Sequence, residues 1–200
     1  MATRNILKEG DKGLLKKSRV VTDFNKRLHI LIDDMRETLI EANGMGLAAP
    51  QVGVLRRVAL IVDTSIDNEQ LDNEVDEDFE EGIEEENEDQ IEFDISEHIV
   101  ELVNPEIVTE DGEQTGSEGC LSIPGVYGIV TRPETVVVRA QDRNGKAFEL
   151  EVGELTARAV CHEIDHLNGV LFTTLAEKIL TEEELAAMRE EHDAENNAGD

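Results

Sequence analysis

The sequence is poor in cysteine, in positive charge and in long apolar runs, and each shortage excludes a class of protein. Only Cys120 and Cys161 occur among the 200 residues, too few for a disulfide framework. In a reducing compartment, isolated cysteines serve packing, metal binding or catalysis. No stretch approaches the ~18 to 20 continuous apolar residues that a membrane-spanning helix needs. Met1 to Gly10 mixes apolar with charged residues and lacks the apolar core of a secretory signal. These absences predict a soluble, cytoplasmic protein with no membrane partner. Lys and Arg number 18 against 47 Asp and Glu, for a formal charge of −29. So acidic a surface repels phosphate backbones, which argues against DNA or general nucleic-acid binding unless the fold gathers a basic patch. Lys12 to Arg19, the most basic stretch, is short and reads as solvated surface.

What is present suits one domain over residues 1–200, with 39% hydrophobic residues to supply a core. Phe24, Leu28, Leu31, Met35 and Leu39 recur at helical spacing, predicting an amphipathic helix over Thr22 to Asn43 that Gly44 stops. Arg57 to Asp63 and Ile99 to Asn104 read as strands, the second halted by Pro105. Thr135 to Ala140 and Ala147 to Val152 flank Asp142-Arg143-Asn144-Gly145, a hairpin signal. Gly153 to Asn168 reads as a helix closed by Gly169, and a last helix opens near Thr181 with Glu184 in capping-box position. This order predicts an α+β fold, with mixed or antiparallel strands, rather than alternating βαβ units. Asp67 to Glu97 holds 17 acidic residues and no Lys or Arg. Its self-repulsion predicts a disordered insertion at 67–97, and residues 181–200 form a second acidic segment, a helix and tail.

Three short stretches carry chemistry. In His162-Glu163-Ile164-Asp165-His166 the two histidines lie at i and i+4 on one helix face, where both imidazoles can hold one metal ion, and Glu163 is placed to act as a base. A helix with two ordinary histidines is the bland alternative. Glu118-Gly119-Cys120-Leu121-Ser122 offers a thiolate from loop-like sequence, a third ligand suited to Zn²⁺ or Fe²⁺. Cys161, a quarter turn from His162, reads as packing. Gly44-Met45-Gly46-Leu47-Ala48-Ala49-Pro50-Gln51 combines glycines that permit close backbone approach with an amide able to donate to an oxyanion.

Together these stretches resemble the GxGxAAxQ, EGCLS and HExDH motifs of peptide deformylases, in that order, and the resemblance extends through Ile6 to Gly10 and Asn104 to Ile107. The resemblance implies a deformylase-like fold around a central metal-binding helix, and removal of the formyl group from N-terminal formyl-methionine of nascent polypeptides. It implies one divalent ion on Cys120, His162 and His166, Fe²⁺ natively, with Zn²⁺, Ni²⁺ or Co²⁺ able to substitute. It assigns proton transfer to Glu163 and oxyanion contacts to the Gln51 amide and the Leu121 N–H. Substrate would lie along the Met45-Gly46 backbone and Gly116 to Gly119, its side chain in an apolar pocket lined by Met45 and, from helix phase, by Leu155, Ala159 and His162, with Arg158 near the rim. An Asp165–Arg132 ion pair is suggested as well. The acidic C-terminal segment departs from the basic helix of many relatives, so any ribosome association would use another surface. The rival readings are a zinc endopeptidase, which takes its third ligand downstream of the helix, and a silent binding protein.

Overall fold

The computed structural model describes residues 2–64 and 95–187. Strands β1 (Gly46–Ala48), β2 (Val58–Val62), β3 (Ile99–Asp111), β6 (Thr135–Gln141) and β7 (Ala147–Gly153) form one sheet in the order β1-β2-β3-β6-β7. Strands β4 (Gln114–Cys120), β5 (Ile123–Arg132) and β8 (Lys178–Ile179) form a second, in the order β4-β5-β8. Every strand pairing is antiparallel, and the parallel element is an isolated bridge between Arg19 and Arg56. Helices α1 (Lys26–Ala42) and α2 (Glu154–Asn168) pack against the larger sheet in this α+β fold, and residues 182–187 are helical as well.

At β2 the larger sheet is buried on both faces, which explains the uninterrupted apolar run of that strand. Val58, Leu60 and Val62 join Leu28, Leu31, Ile32, Met35 and Leu39 of α1 in one core. Ala59 and Ile61 point the other way, into a core with Ala157, Val160, Ile164 and Leu167 of α2. The α2 side is lined by small residues, Ala48, Ala59 and Ala140, so the helix can lie close to the strands. A third core, around Leu14, Ile123, Val130, Leu171 and Phe172, fastens the smaller sheet.

Several boundaries differ from the sequence expectation for local reasons. Helix α1 starts at Lys26, because the Asn25 side chain accepts the Arg27 and Leu28 N–H groups at 2.9 and 3.3 Å. Phe24 therefore precedes the helix while still packing on its core. At the other end Asn43 (φ 47°), not Gly44, makes the left-handed turn. Strand β3 does not stop at Pro105 but runs on to Asp111, with a register shift between Val103 and Glu106. A proline is tolerated at such a bulge because no ladder donor is required of it. Cys120 ends strand β4 rather than lying in a loop. Gly116, Ser117 and Gly119 carry little intrinsic strand preference, and pairing with β5 overrides it.

The β6–β7 turn closes as expected, with Gly145 at φ 86°, and α2 ends on Gly169 at φ 77°. The reciprocal Thr181–Glu184 bonds are made, at 3.1 and 3.2 Å. Most of the acidic stretch 67–97, and of 181–200 the part after residue 187, lie outside the described residues. Pairing of β2 with β3 continues to Val62 opposite Ile99, and the Asp63 N–H donates to the His98 carbonyl at 2.9 Å. The strands are thus joined before the acidic stretch begins. Residues 95–97 form a turn, with Ile95 packed on the α1 core.

Asn104 holds the bulge in β3. At φ 53° it is left-handed. Its amide oxygen accepts from the Val21 N–H at 2.8 Å, and its amide nitrogen donates to the Val21 carbonyl at 2.9 Å and to Gln141 Oε1 at 2.8 Å. Asn104→Ala loses these bonds and keeps a strained backbone, an expected loss of about 2 to 4 kcal/mol. Asn104→Gly should recover about 1 kcal/mol of that. Urea unfolding of the two variants checks the order, and equal midpoints would show that the backbone strain contributes nothing.

Candidate metal centre

Helix α2 presents His162 and His166 one turn apart on its buried side, with ring centroids 4.9 Å apart. The end of β4 brings Cys120 to the same place, its Sγ 3.2 Å from His166 Nε2. The donor atoms of these three residues all lie within 4.8 Å of one another, a grouping found nowhere else among the described residues. Tetrahedral coordination by one sulfur and two nitrogens sets the donors about 3.3 to 3.6 Å apart. The 3.2 Å sulfur–nitrogen spacing is close to that range, and the three residues could together hold a single divalent ion. Burial and the neighbouring His162 push His166 down to about 3, so it is a neutral imidazole, the form that ligates.

Glu118 organises this centre. Its two carboxylate oxygens meet Arg132 Nε at 2.8 Å, Arg132 Nη2 at 3.0 Å, Arg158 Nη1 at 3.0 Å and His162 Nδ1 at 3.0 Å. Burial alone would raise its pKa, but the hydrogen bonds from His162 and Arg132 outweigh burial and hold it at about 2. An ionised carboxylate only accepts, so the proton of that contact belongs to His162 Nδ1. Burial opposes charge on this ring, but its contacts with Cys120 and Glu118 and the nearby Glu163 raise it to about 10, so an ion bound at Nε2 would displace a proton from that nitrogen. Arg132 also donates to Asp165 at 2.7 Å, the ion pair expected from the sequence.

The remaining groups close the site from above. Glu163 is buried, and its Oε2 has no hydrogen-bond partner among the described residues. Burial raises its carboxyl to about 7, with Glu118 and Asp165 adding to the rise and His162 opposing it. Gly46 lies directly against that carboxylate; a Cβ there would sit 2.8 Å from Glu163 Cγ. Gln51 is oriented by the Ala48 N–H, which donates to its Oε1 at 2.8 Å, so that Nε2 faces Cys120 Sγ at 3.6 Å and Ser122 Oγ at 3.2 Å.

A cleft open to solvent, with about 570 Å³ of empty space including its mouth, lies over these groups. Met45, Gly46, Gln51, Gly119, Cys120, Leu121, His162 and Glu163 all line it, as do Leu155 and Ala159, while His166 lies beneath. Arg158 also lines the cleft, as a buried group rather than an exposed one. It is 7% exposed and donates to Glu118, to the Val130 carbonyl at 2.9 Å and to the Gln114 carbonyl at 3.2 Å. Gly116 makes room for it, since a Cβ there would sit 3.2 Å from Arg158 Nη2. In the sequence Glu118 stands out only as a flank of Cys120. The one signal for it was an acid two residues before a candidate thiolate ligand. Cys161 packs in the α2 core, and burial raises its thiol to about 11.

Glu118→Gln keeps the side-chain shape but removes the charge that fixes the His162 ring. It should lower Zn²⁺ affinity by roughly 10- to 100-fold, measured by competition with a chromophoric chelator. Unchanged affinity would detach this carboxylate from the centre.

The same arrangement of segments recurs in known proteins. A family model described as polypeptide deformylase matches residues 3–181. A peptide deformylase of Caldicellulosiruptor bescii is 46% identical over 193 residues, covering 96% of this chain and 97% of the relative. Peptide deformylase 1 of Bacillus subtilis is 44% identical over 188 residues, covering 94% and 99%. Among solved structures, the peptide deformylase of Legionella pneumophila superposes with a TM-score of 0.68 at 35% identity, covering 99% of this chain and 98% of that one. That of Thermotoga maritima superposes with a TM-score of 0.70 at 30% identity, covering 89% and 100%. With family, sequence and fold in agreement over nearly its whole length, this chain belongs to the peptide deformylase family.

Proposed function

We propose that Cys120, His162 and His166 hold one divalent ion and that Glu163, Gln51 and Leu121 carry out deformylation around it. Metal-dependent removal of the N-formyl group from nascent polypeptides is the reaction of the family and of this enzyme. The observation that carries the residue assignment is the meeting of a β4 cysteine sulfur with two α2 imidazoles beside the Glu163 carboxyl group. The third donor comes from upstream of the helix, whereas a zinc endopeptidase takes it from downstream. Fe²⁺ is the native ion in this reading, and Zn²⁺, Ni²⁺ or Co²⁺ suit the same donors. When bound, the ion supplies Lewis-acid polarisation of water and of the formyl oxygen.

The chain's own groups do the rest. Glu163 removes a proton from the attacking water as its oxygen bonds to the formyl carbon. It returns that proton to the amine as the carbon–nitrogen bond breaks and formate leaves. A carboxyl near 7 suits both halves of this transfer. The Gln51 amide and the Leu121 N–H donate to the formyl oxygen as charge collects there, each such donor contributing about 3 to 4 kcal/mol. The peptide backbone runs past Met45, Gly46 and Gly119 as an added strand, and the methionine side chain enters between Leu155 and Ala159. Residues 1–200 act as one catalytic unit, in the cytoplasm, with 67–97 and 181–200 outside the chemistry. Ribosome contact, where it occurs, does not use the acidic C-terminal segment. No helix among the described residues is long and apolar enough to cross a membrane.

Two sets of variants test this. Glu163→Gln should retain bound metal and lose turnover of formyl-Met-Ala-Ser by at least ~10²-fold; near-normal turnover would remove the role given to it. Cys120→Ser should lose metal, because an alcohol is a poor ligand at neutral pH, and Cys161→Ser should keep it. Metal content measured on purified protein separates them, and equal retention would mean that the third ligand is wrong.

A further inference from the structure

The segment before α1 reaches the centre in a way the reaction just described does not use. Leu7 N–H donates to the Gln51 carbonyl at 2.7 Å and Glu9 N–H to the Ser122 carbonyl at 2.9 Å. Two consecutive contacts thus strap the Gln51 and Cys120–Ser122 segments to a common support. Between them, Lys8 Nζ donates to the Leu121 carbonyl at 2.8 Å. That carbonyl belongs to the same peptide unit as the Ser122 N–H, which donates to Cys120 Sγ at 3.4 Å.

We propose that Lys8 is a positioning residue that acts on the Cys120 thiolate through the Leu121–Ser122 peptide. The argument rests on Cys120 being a metal ligand. In a trans peptide the C=O and N–H point in opposite directions, so a cation at the oxygen and a thiolate at the hydrogen polarise the group in the same sense. Each bond strengthens the other, by roughly 10 to 30% in hydrogen-bonded chains. A stronger N–H to sulfur bond withdraws electron density from the thiolate, lowers its donation, and leaves a bound ion more electrophilic. Hydrogen bonds to ligating sulfur are an established lever on metal centres. The ammonium is exposed, so its effect is weakened by salt.

The test uses full-length protein loaded with Co²⁺, whose thiolate-to-cobalt absorption reports sulfur donation directly. Lys8→Met should move that band to lower energy, while Lys8→Arg, which keeps the charge, holds it at the wild-type position. The wild-type band should drift toward the Lys8→Met position as salt is raised. Turnover of Lys8→Met should fall roughly threefold at unchanged KM, less than other outer-layer partners because the cation is solvated. A band that stays put in Lys8→Met, or moves equally in Lys8→Met and Lys8→Arg, overturns the proposal and leaves Cys120 as ligand. A wild-type cobalt protein with no thiolate band overturns both.

Discussion

Glu118 sits where two buried arginines and a histidine of the proposed metal set meet, at the junction of the smaller sheet with α2, and the centre depends on that carboxylate keeping its charge. Arg132 belongs to β5, Arg158 and His162 to α2, and Glu118 to β4, so one acid ties the smaller sheet to the helix. Taking a lone charge out of water costs several kcal/mol. Here Glu118 and Asp165 are matched against Arg132 and Arg158, with three of the four nearly inaccessible to water. The arrangement does not exist to add stability, since an apolar core of the same volume would serve at least as well. Its product is direction. The imidazole of His162 can turn only one nitrogen toward the thiolate, because the other is committed to the carboxylate.

Above that rigid floor, the groups assigned to chemistry are held by contacts of a different kind. Gln51 is oriented by one backbone N–H, and Glu163 is kept in place by the absence of a side chain at Gly46. Leaving a carboxylate oxygen buried and unpaired is unfavourable for folding, and active sites are where such unfavourable placements persist. The desolvation that raises the Glu163 carboxyl to about 7 is the same feature viewed as reactivity.

The parts of this organisation that were legible in the sequence are those that depend on near neighbours. Helical spacing placed His162 and His166 on one face, and the glycines and amide at 44–51 marked a close backbone approach. The order of helices and strands gave the α+β class. Glu118 was not legible as an organiser, because its partners Arg132, Arg158 and His162 lie 14, 40 and 44 residues away. The same holds for β4, whose glycines and serine read as loop until β5 pairs with them. Pro105 misled in the opposite direction, since a rule about strand interiors does not apply at a bulge. The burial of Arg158 was not legible either, because helix phase gives the side of the cylinder a residue occupies but not how deep that side lies.

The closure of β2 against β3 at Val62 and Ile99 has a consequence for how the molecule is divided. Every proposed ligand, and Glu163 with them, lies after that junction, whereas Gln51, Gly46 and the Lys8 strap lie before it. A break in the chain between residues 64 and 95 would therefore yield one piece carrying the proposed ligands, Glu163 and Glu118, and another carrying Gln51, Gly46 and Lys8. The two would remain joined by a five-residue ladder and by the core beneath α1. Helix α2 packs on Ala48, Ala59 and Ile61 of the N-terminal piece, so the helix bearing the two histidines draws part of its core from across the break.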